Sequence, residues 1–313
     1  MAIVTLTLNP ALDLETSLAE MRPREKLRCT PPRSDPGGGG INVARAIHAL
    51  GSTARAAVAL GGPTGATIAT ALQEAGIDVL PLAAPGPTRQ NLSVIEASTG
   101  EQFRFIFPGP TWIPADLAAV EPPLSKAVVA GDILVLSGSL PPGLAAEALV
   151  DLAMSHVARG VRVVVDTSGA ALVAMVAAAR GMNLLRMDGP EAEELCGRPL
   201  PRAADSADAA QAMVNDGVAE AVIIARGKDG SVLATANGRW FAPAADVPVV
   251  SVTGAGDSFV AAATLAMSRG AAWPEVLSCG CSAASAAVTT PATALCDPEV
   301  YLALLPGTRA RRI

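Results

Sequence analysis

The chain has 313 residues, half of them apolar, which is enough to build a sizeable core in one large α/β domain or two small ones. A formal net charge of −6 argues against a basic surface that binds nucleic acid. Two histidines and five scattered cysteines argue against an imidazole-based metal site and indicate free thiols in a reducing cytoplasm. With no charged leader and no apolar run of about 18 residues, we expect a cytoplasmic protein without a membrane partner.

The first part of the chain alternates strands and helices. Residues 13–33 are polar and are expected to be extended. Gly51 is a plausible end for the predicted helix of residues 41–50. Predicted strands cover residues 3–8 and 54–60, and predicted helices cover residues 41–50 and 64–75.

A different pattern follows in residues 91–107. Apolar and polar side chains alternate there on both sides of Ser98-Thr99-Gly100, which is typical of a β-hairpin. Together with residues 13–33, this segment predicts a small accessory sheet formed by two excursions from the main domain.

Beyond residue 133, strands and helices alternate in the rhythm of βα units, which predicts a parallel sheet. Predicted strands cover residues 133–136, 161–165, 183–185 and 221–225, and predicted helices cover residues 143–158, 169–179, 190–196 and 206–216. A hairpin over residues 231–235 and 239–242 turns at Asn237-Gly238, and two Ala-rich helices follow at residues 255–269 and 273–289.

The segment Gly254-Ala255-Gly256-Asp257 stands at the start of a predicted helix. Small residues allow successive amide groups to converge, and the helix dipole adds positive potential, so this turn could hold a transferring phosphoryl group. Asp257 could accept the proton of an attacking hydroxyl. The alternative is a carboxylate that only stabilises the helix dipole.

A run of glycines, residues 37–40, precedes Ile41-Asn42. Glycines let a ligand approach the backbone closely, and Asn42 can bond a sugar hydroxyl. A flexible loop is the alternative. Neither the dinucleotide pattern after a strand nor the phosphate-binding G-x-x-x-x-G-K-[ST] pattern is present, so phosphoryl transfer here would use another architecture.

Two further segments follow predicted strands. Residues 137–143 lie where open α/β sheets bind ligands, although a plain turn is equally compatible with them. Asp188 and Glu191 are three residues apart and could hold Mg²⁺ directly or through water, although acidic residues at a helix start also serve as caps.

In this order, the segments resemble the ribokinase/PfkB family of carbohydrate kinases over essentially the whole chain, and within it the 6-phosphofructokinase type. The resemblance rests on residues 6–13, 26–30, 36–46, 88–92, 100–105, 137–143 and 252–258. It implies a ribokinase-like three-layer α/β/α domain over residues 1–313 with a mostly parallel central sheet. It also implies a small β-sheet lid from about residues 13–33 and 88–108, through which two subunits form a homodimer.

The resemblance also implies roles for individual residues. Asp257 would be the base, with Gly254, Ala255 and Gly256 as the anion hole, and Mg²⁺ would be held by Asp188 and Glu191. Substrate contacts are implied for Asp13, Lys26, Arg28, Gly38, Gly39, Asn42, Arg89 and Ser139. ATP contacts are expected from Arg186, Asp188, Gly227, Gly230 and Ser285.

The chain departs from the family pattern on the nucleotide side. Arg186-Met187-Asp188 replaces Lys-Pro-Asn, Ala225-Arg226-Gly227 replaces Ser-Leu-Gly, and Ser251-Val252 replaces Asp-Thr. Residues 290–293 replace a glycine-containing turn that often supports a K⁺ site. The resemblance implies phosphorylation of fructose 6-phosphate to fructose 1,6-bisphosphate. Tagatose-6-phosphate kinase, 1-phosphofructokinase and a non-catalytic sugar-phosphate-binding regulator are the alternatives.

Overall fold

The computed structural model describes residues 1–291 and 294–313. Its strands are β1 (Ile3–Thr7), β2 (Ala11–Leu18), β3 (Arg33–Gly37), β4 (Arg55–Leu60), β5 (Asp78–Ala83), β6 (Arg89–Glu96), β7 (Gln102–Ile106), β8 (Ile133–Ser137), β9 (Arg162–Asp166), β10 (Met182–Asp188), β11 (Ala219–Ala225), β12 (Ser231–Thr235), β13 (Gly238–Ala242) and β14 (Arg311–Arg312). Its helices are α1 (Gly39–Ala49), α2 (Gly62–Glu74), α3 (Pro114–Ala127), α4 (Ala146–Ala158), α5 (Gly169–Ala178), α6 (Gly189–Cys196), α7 (Ala203–Asn215), α8 (Ala255–Ser268), α9 (Trp273–Ala287) and α10 (Pro298–Leu304).

The main sheet has ten strands in the order β14-β13-β12-β11-β10-β9-β8-β1-β4-β5. Neighbours from β11 through β5 are parallel, whereas β12, β13 and β14 are antiparallel at one edge. The amino-terminal strand therefore lies inside the sheet, between β8 and β4. Parallel strands of this kind have both faces covered, which accounts for their continuous apolar sequences.

Helices cover both faces of this sheet. Ile133 and Val135 of β8 pack in one core with residues of α1, α2, α8 and α9. Leu134 and Leu136, which point to the other face, pack in a second core with residues of α3, α4, α5, α6 and α7. This alternation follows from the pleat of a strand. The predicted three layers and mostly parallel sheet are confirmed.

A separate sheet of four strands, in the order β3-β2-β6-β7, is inserted after β1 and β5. Strands β2 and β6 are parallel, and their register places Asp13 beside Asn91. The outer pairs are antiparallel, with Asn91 opposite Ile106. Residues that face each other across strands share a face of the sheet, so Asp13, Asn91 and Ile106 point the same way.

The pattern-based predictions succeed where a segment is strongly periodic. The predicted hairpin in residues 91–107 is confirmed as β6 and β7, and the βα units after residue 133 are confirmed. The prediction of a uniformly extended segment over residues 13–33 is wrong, because β2 ends at Leu18 and an irregular loop follows. The glycine run 37–40 is not a flexible loop, since it ends β3 and begins α1.

Two elements with proline in their interior were missed. Helix α3 includes Pro122 and Pro123, and β5 includes Pro81. In a sequence, proline in the interior of a segment argues against a regular helix or strand. The short α10 and β14 were also missed. None of the helices in the described part of the chain combines the length and apolar character needed to cross a bilayer.

Candidate active site

The candidate site lies where the parallel strands of the main sheet reach their carboxyl ends. Ser137 and Asp166 end adjacent strands there, in register with each other. Helix α1 approaches this edge closely, because a Cβ at Gly39 would contact the Ser137 side chain and lie 2.7 Å from the Gly138 amide nitrogen. Open α/β sheets bind ligands at such edges.

Asp257 lies in the first turn of α8 and is half-buried. Its Oδ2 atom accepts a hydrogen bond of 2.9 Å from Nδ2 of Asn42, which lies 215 residues earlier on α1. The structure thus brings together two residues that sequence motifs had selected independently.

The surroundings of Asp257 favour its protonated form. Burial raises the pKa of its carboxyl group, as does repulsion from Asp166, whereas the hydrogen bond from Asn42 and the charge of Arg186 act against the rise. The resulting pKa is about 6. A carboxylate of this kind accepts protons better than an exposed aspartate and is still ionised at neutral pH.

The turn before Asp257 exposes amide groups. Gly254 is the N-cap of α8 with φ of 78°, a conformation that favours glycine. The Ala255 amide makes a long contact of 3.4 Å with the Val252 carbonyl, so it is only weakly engaged. The first amides of a helix have no partner within it, and together with the helix dipole they attract anions.

The small sheet contributes a polar cluster to the same edge. Asn91 Nδ2 donates to Asp13 Oδ1 over 2.8 Å, and burial raises the pKa of Asp13 despite this bond. Arg89 donates to the backbone carbonyls of Phe107 at 3.1 Å and Asn9 at 3.2 Å. Its Nε atom is buried without a hydrogen-bond partner in residues 1–291 and 294–313.

Gly38 and Ser139 lie next to this cluster. Gly38 has φ of 130°, and a Cβ there would lie 2.7 Å from the Thr7 side chain, so both conformation and space require glycine. The Ser139 hydroxyl accepts a hydrogen bond from Asn9 Nδ2 at 3.2 Å. Asn9 was not among the predicted site residues, although it ends the conspicuous segment of residues 6–9.

Lys26 and Arg28 are not part of this cluster. Both are exposed in the loop between β2 and β3, and neither has a hydrogen bond or ion pair in the described part of the chain. Their predicted contact with a sugar phosphate therefore stays a prediction.

A second group of residues includes those for which the sequence predicts contacts with ATP. They lie after β11, after β13 and on α9. Gly227 and Gly230, with φ of 58° and 112°, flank the 3₁₀ turn Gly227–Asp229. The Ser285 hydroxyl of α9 accepts a hydrogen bond of 3.0 Å from the Ala245 amide, which fixes the segment after β13. The predicted turn at residues 290–293 falls partly on residues 292 and 293, outside the described residues.

Arg226 fastens this turn to the rest of the chain. Its guanidinium donates to the Leu200 carbonyl at 2.9 Å, the Pro201 carbonyl at 2.8 Å and the Ser206 hydroxyl. Its own amide bonds the Gly230 carbonyl at 2.8 Å. The residue that replaces the family's leucine thus serves as an anchor between β11 and the start of α7.

Asp188 and Glu191 form a capping box at the start of α6. The Glu191 amide donates to Asp188 Oδ1 at 2.9 Å, and the Asp188 amide donates to Glu191 Oε2 at 2.8 Å. Burial raises the pKa of Glu191. Each carboxylate uses one oxygen in the cap, so the second oxygen of each can bind a cation or its water. Oxygen ligands suit Mg²⁺, so the pair fits such an ion.

Arg186 pairs with Asp166, a residue that the sequence analysis did not select. Arg186 Nη1 donates to Asp166 Oδ1 over 3.0 Å, and the two side chains are 14% and 13% exposed. The position of Asp166, directly after the apolar residues of β9, was the available signal. The partnership was not visible because it depends on β9 and β10 being neighbours.

Comparisons with known proteins agree with this architecture. The model of the family described as "pfkB family carbohydrate kinase" matches residues 6–300. ATP-dependent 6-phosphofructokinase isozyme 2 of Mycobacterium tuberculosis is 38% identical over 299 residues, covering 95% of this chain and 87% of that protein. The protein of the same name from Escherichia coli is 39% identical, covering 95% and 96%. A 1-phosphofructokinase of Xanthomonas campestris is 34% identical, covering 84% and 83%.

Solved structures give the same result. Phosphofructokinase-2 of Escherichia coli in complex with fructose 6-phosphate superposes with a TM-score of 0.90 at 37% identity, covering 97% of this chain and 98% of that one. Its complex with potassium has a TM-score of 0.92, and its tetrameric inhibited form has a TM-score of 0.91, each with the same identity and coverage. The resemblance inferred from the motifs is confirmed, and this chain belongs to the pfkB family of carbohydrate kinases.

Proposed function

We propose that this carbohydrate kinase is a 6-phosphofructokinase, which uses ATP to phosphorylate fructose 6-phosphate at its C1 hydroxyl. The observation that carries the proposal is the half-buried Asp257–Asn42 pair, which joins the first turn of α8 to α1. The relatives named 6-phosphofructokinase cover more of this chain, at higher identity, than the one named 1-phosphofructokinase.

In the proposed reaction, Asp257 takes the proton of the C1 hydroxyl while that oxygen attacks the γ-phosphorus of ATP. The bond from the γ-phosphorus to its bridging oxygen breaks, and ADP leaves. Amides of Gly254, Ala255 and Gly256 stabilise the charge on the transferring group. Asn42 orients the carboxylate through its hydrogen bond and leaves the second oxygen free to face the sugar.

The sugar phosphate is assigned to Arg89, with Ser139 beside it. Backbone carbonyls hold the Arg89 guanidinium in place, and its buried Nε has no partner in the described residues, so an anion would satisfy it. Asp13, Gly38, Gly39 and Asn42 would then line the hydroxyl side of the sugar. Lys26 and Arg28 would complete the phosphate contacts from the loop of a partner subunit.

ATP is assigned to the turn around Gly227 and Gly230, to Ser285 and to the region of Arg186 and Asp188. Asp188 and Glu191 would hold Mg²⁺ through the oxygens that the capping box leaves free. When bound, the ion offsets charge on the β- and γ-phosphates. We include K⁺ as an activating ion, supported by the potassium complex of the Escherichia coli protein.

We further propose that the small sheet, together with the loop of residues 19–32, acts as a lid over the sugar and as a homodimer interface in the cytoplasm. Phe105 of β7 is an exposed apolar residue at the edge of this sheet, which a second copy would cover.

The deciding experiment measures kcat/KM with ATP and Mg²⁺ for fructose 6-phosphate, tagatose 6-phosphate, fructose 1-phosphate and free fructose, with K⁺ present or replaced by tetramethylammonium. We expect fructose 6-phosphate to give the highest value and Asp257→Asn to lower kcat by on the order of 10²-fold or more. A higher value for fructose 1-phosphate would identify a 1-phosphofructokinase instead. Absence of turnover on every phosphosugar would overturn the kinase assignment for this site.

A further inference from the structure

Arg186 lies beside the first turn of α8, the end of a helix at which a cation is least favoured. Its Nη1 and Nη2 atoms would be 3.1 Å and 3.4 Å from a Cβ added at Gly256, the second residue of that helix. The helix dipole already places positive charge there, so helix stability does not explain a buried guanidinium. Its position next to the candidate anion hole points to a role in the chemistry.

The charges around Asp257 define that role. Three groups act on its carboxylate: the neutral Asn42 of α1 through a hydrogen bond, and Asp166 of β9 and Arg186 of β10 through their charges. The Asp166 carboxylate carries a charge of the same sign as that of Asp257, and its repulsion raises the pKa of Asp257. The Arg186 guanidinium, bonded to Asp166 at 3.0 Å, offsets that repulsion.

Packing fixes the guanidinium in this position. Arg186 Cζ lies 5.9 Å from the centre of the Phe259 ring on α8. The ring is held in turn by α9, where a Cβ at Gly280 would be 2.6 Å from it, so only glycine fits. Gly256 has no left-handed backbone conformation that would require glycine, so its missing Cβ serves the approach of the guanidinium.

We propose that Arg186 is a positioning residue of phosphoryl transfer, which places its guanidinium beside the first turn of α8, pairs with Asp166 and offsets the negative charge around Asp257. This inference rests on the proposed kinase function of the same site. It assigns to Arg186 a task distinct from direct contact with the nucleotide, and it makes Gly256 a partner of Arg186 as well as a member of the anion hole.

The test compares Arg186→Gln, Arg186→Lys and Asp166→Asn in the whole enzyme. We expect Arg186→Gln to lower kcat by about tenfold or more, with a smaller change in KM for the sugar, because it weakens transition-state stabilisation. Arg186→Lys keeps the cation and should recover most of the loss. Arg55→Gln and Asp78→Asn break an exposed Arg–Asp pair at the opposite edge of the sheet and should leave kcat unchanged.

The pH profile separates this role from a purely structural one. Loss of the cation should move the acidic limb of kcat/KM to higher pH, and Asp166→Asn should move it to lower pH, each by about one unit. Limbs that stay in place, or that move in the same direction, would overturn the proposal. Should Arg186→Gln fail to fold, Asp166→Asn still tests the proposal, because its acidic limb must move to lower pH while that of Arg186→Lys stays in place.

A readout without turnover keeps the inference separate from the proposed function. The difference in thermal stability between each variant and its Asp257→Asn counterpart, followed against pH, reports the pKa of Asp257 in the folded protein. If the pKa of Asp257 shifts in opposite directions in Arg186→Gln and Asp166→Asn but the protein is inactive on phosphosugars, the role of Arg186 is supported and the proposed substrate is rejected. If the protein is an active kinase but the pKa of Asp257 is the same in all variants, only the role of Arg186 is rejected. We also expect the loss of kcat caused by Gly256→Ala to be at least about threefold smaller in the Arg186→Lys variant than in the wild-type protein.

Discussion

At the scale of single residues, Asp257 is both the candidate base and a source of instability. Its pKa is raised from 3.8 to about 6 because the carboxylate is buried near Asp166. The folded protein therefore binds this proton more tightly than the unfolded chain does. Between pH 4 and pH 6, ionisation of Asp257 costs stability as the pH rises, and the cost persists above that range.

We expect Asp257→Asn to inactivate the enzyme and to stabilise it at neutral pH. A shift of about two pKa units corresponds to on the order of 3 kcal/mol, so the variant should gain up to that amount above pH 7. The gain should vanish below about pH 4, where Asp257 becomes neutral in the unfolded chain as well as in the folded protein. Thermal denaturation of the two proteins at several pH values measures this difference. Equal stability at pH 8 would contradict the raised pKa.

The same ionisation governs activity. Only the unprotonated carboxylate can accept a proton, so kcat/KM of the wild-type protein should fall as the pH drops through about 6. A steady-state pH profile between pH 5 and pH 9 with fructose 6-phosphate checks this. A profile that stays flat down to pH 5 would show that Asp257 is not the base.

At the scale of elements, α6 combines a structural cap with a candidate metal site, and one substitution separates them. Asparagine caps a helix about as well as aspartate, so Asp188→Asn should change the free energy of unfolding by less than about 0.5 kcal/mol. It removes a negative charge, and we expect the Mg²⁺ concentration for half-maximal activity to rise about fivefold.

Two variants serve as comparisons for Asp188→Asn. Asp297 caps α10 through the amides of Glu299 and Val300, so Asp297→Asn is the matched change at a cap far along the chain and should leave the Mg²⁺ requirement unaltered. Asp188→Ala removes the cap and should destabilise the protein by about 1 kcal/mol. An unchanged Mg²⁺ requirement in Asp188→Asn would remove Asp188 from the metal site.

The turn between β11 and β12 depends on Arg226 for its position. Without the guanidinium contacts to Leu200, Pro201 and Ser206, the turn Gly227–Asp229 loses its anchor. We expect Arg226→Ala to raise KM for ATP by about tenfold while kcat changes little. Arg202→Ala, at an exposed arginine nearby, is the control. Unaltered KM for ATP would contradict the anchoring role.

Predictability from the sequence also differs by element. The βα units after residue 133 could be predicted because their apolar runs and helical spacing are regular. Helix α3 could not, since Pro122 and Pro123 lie within it and Val120 and Leu124 are its only buried residues among those described. The path of residues 19–32 follows no repeat, and its shape depends on tertiary contacts such as the Met21 amide bonded to Glu96.

The site was predictable to the extent that each residue belongs to a local motif. Asp257, Asn42 and Asp188 could be selected from the glycine runs and acidic pairs around them. The Asp166–Arg186 pair could not, because its members lie on strands that become neighbours only through the order of the sheet. The Arg226 anchor was hidden for the same reason, since its partners lie on the loop before α7 and in the first turns of α7.

At the scale of the whole molecule, the outer face of the small sheet predicts association. Leu14, Leu92 and Phe105 are in register across β2, β6 and β7, so they share the face opposite to Asp13 and Asn91. Phe105 remains 42% exposed. An apolar row beside a ligand site is a surface that a second copy can cover without disturbing the sugar contacts.

We expect the wild-type protein to form dimers at micromolar concentration and Phe105→Asp to be monomeric in light scattering, because a buried carboxylate would oppose association. Val173→Asp is the matched control, since Val173 is an exposed apolar residue on α5, in a different part of the molecule. A monomeric wild-type protein, or a dimeric Phe105→Asp variant, would contradict the interface.

The distance along the chain between Asn42 and Asp257 affects when the active site forms during folding. Their hydrogen bond joins residues 215 positions apart, and β1 must pair with β8 before the edge that carries them exists. Contacts of such long range form late, because the intervening chain must first be ordered. During refolding, helical signal should therefore return before activity, and a nascent chain on the ribosome stays inactive until α8 and α9 have emerged.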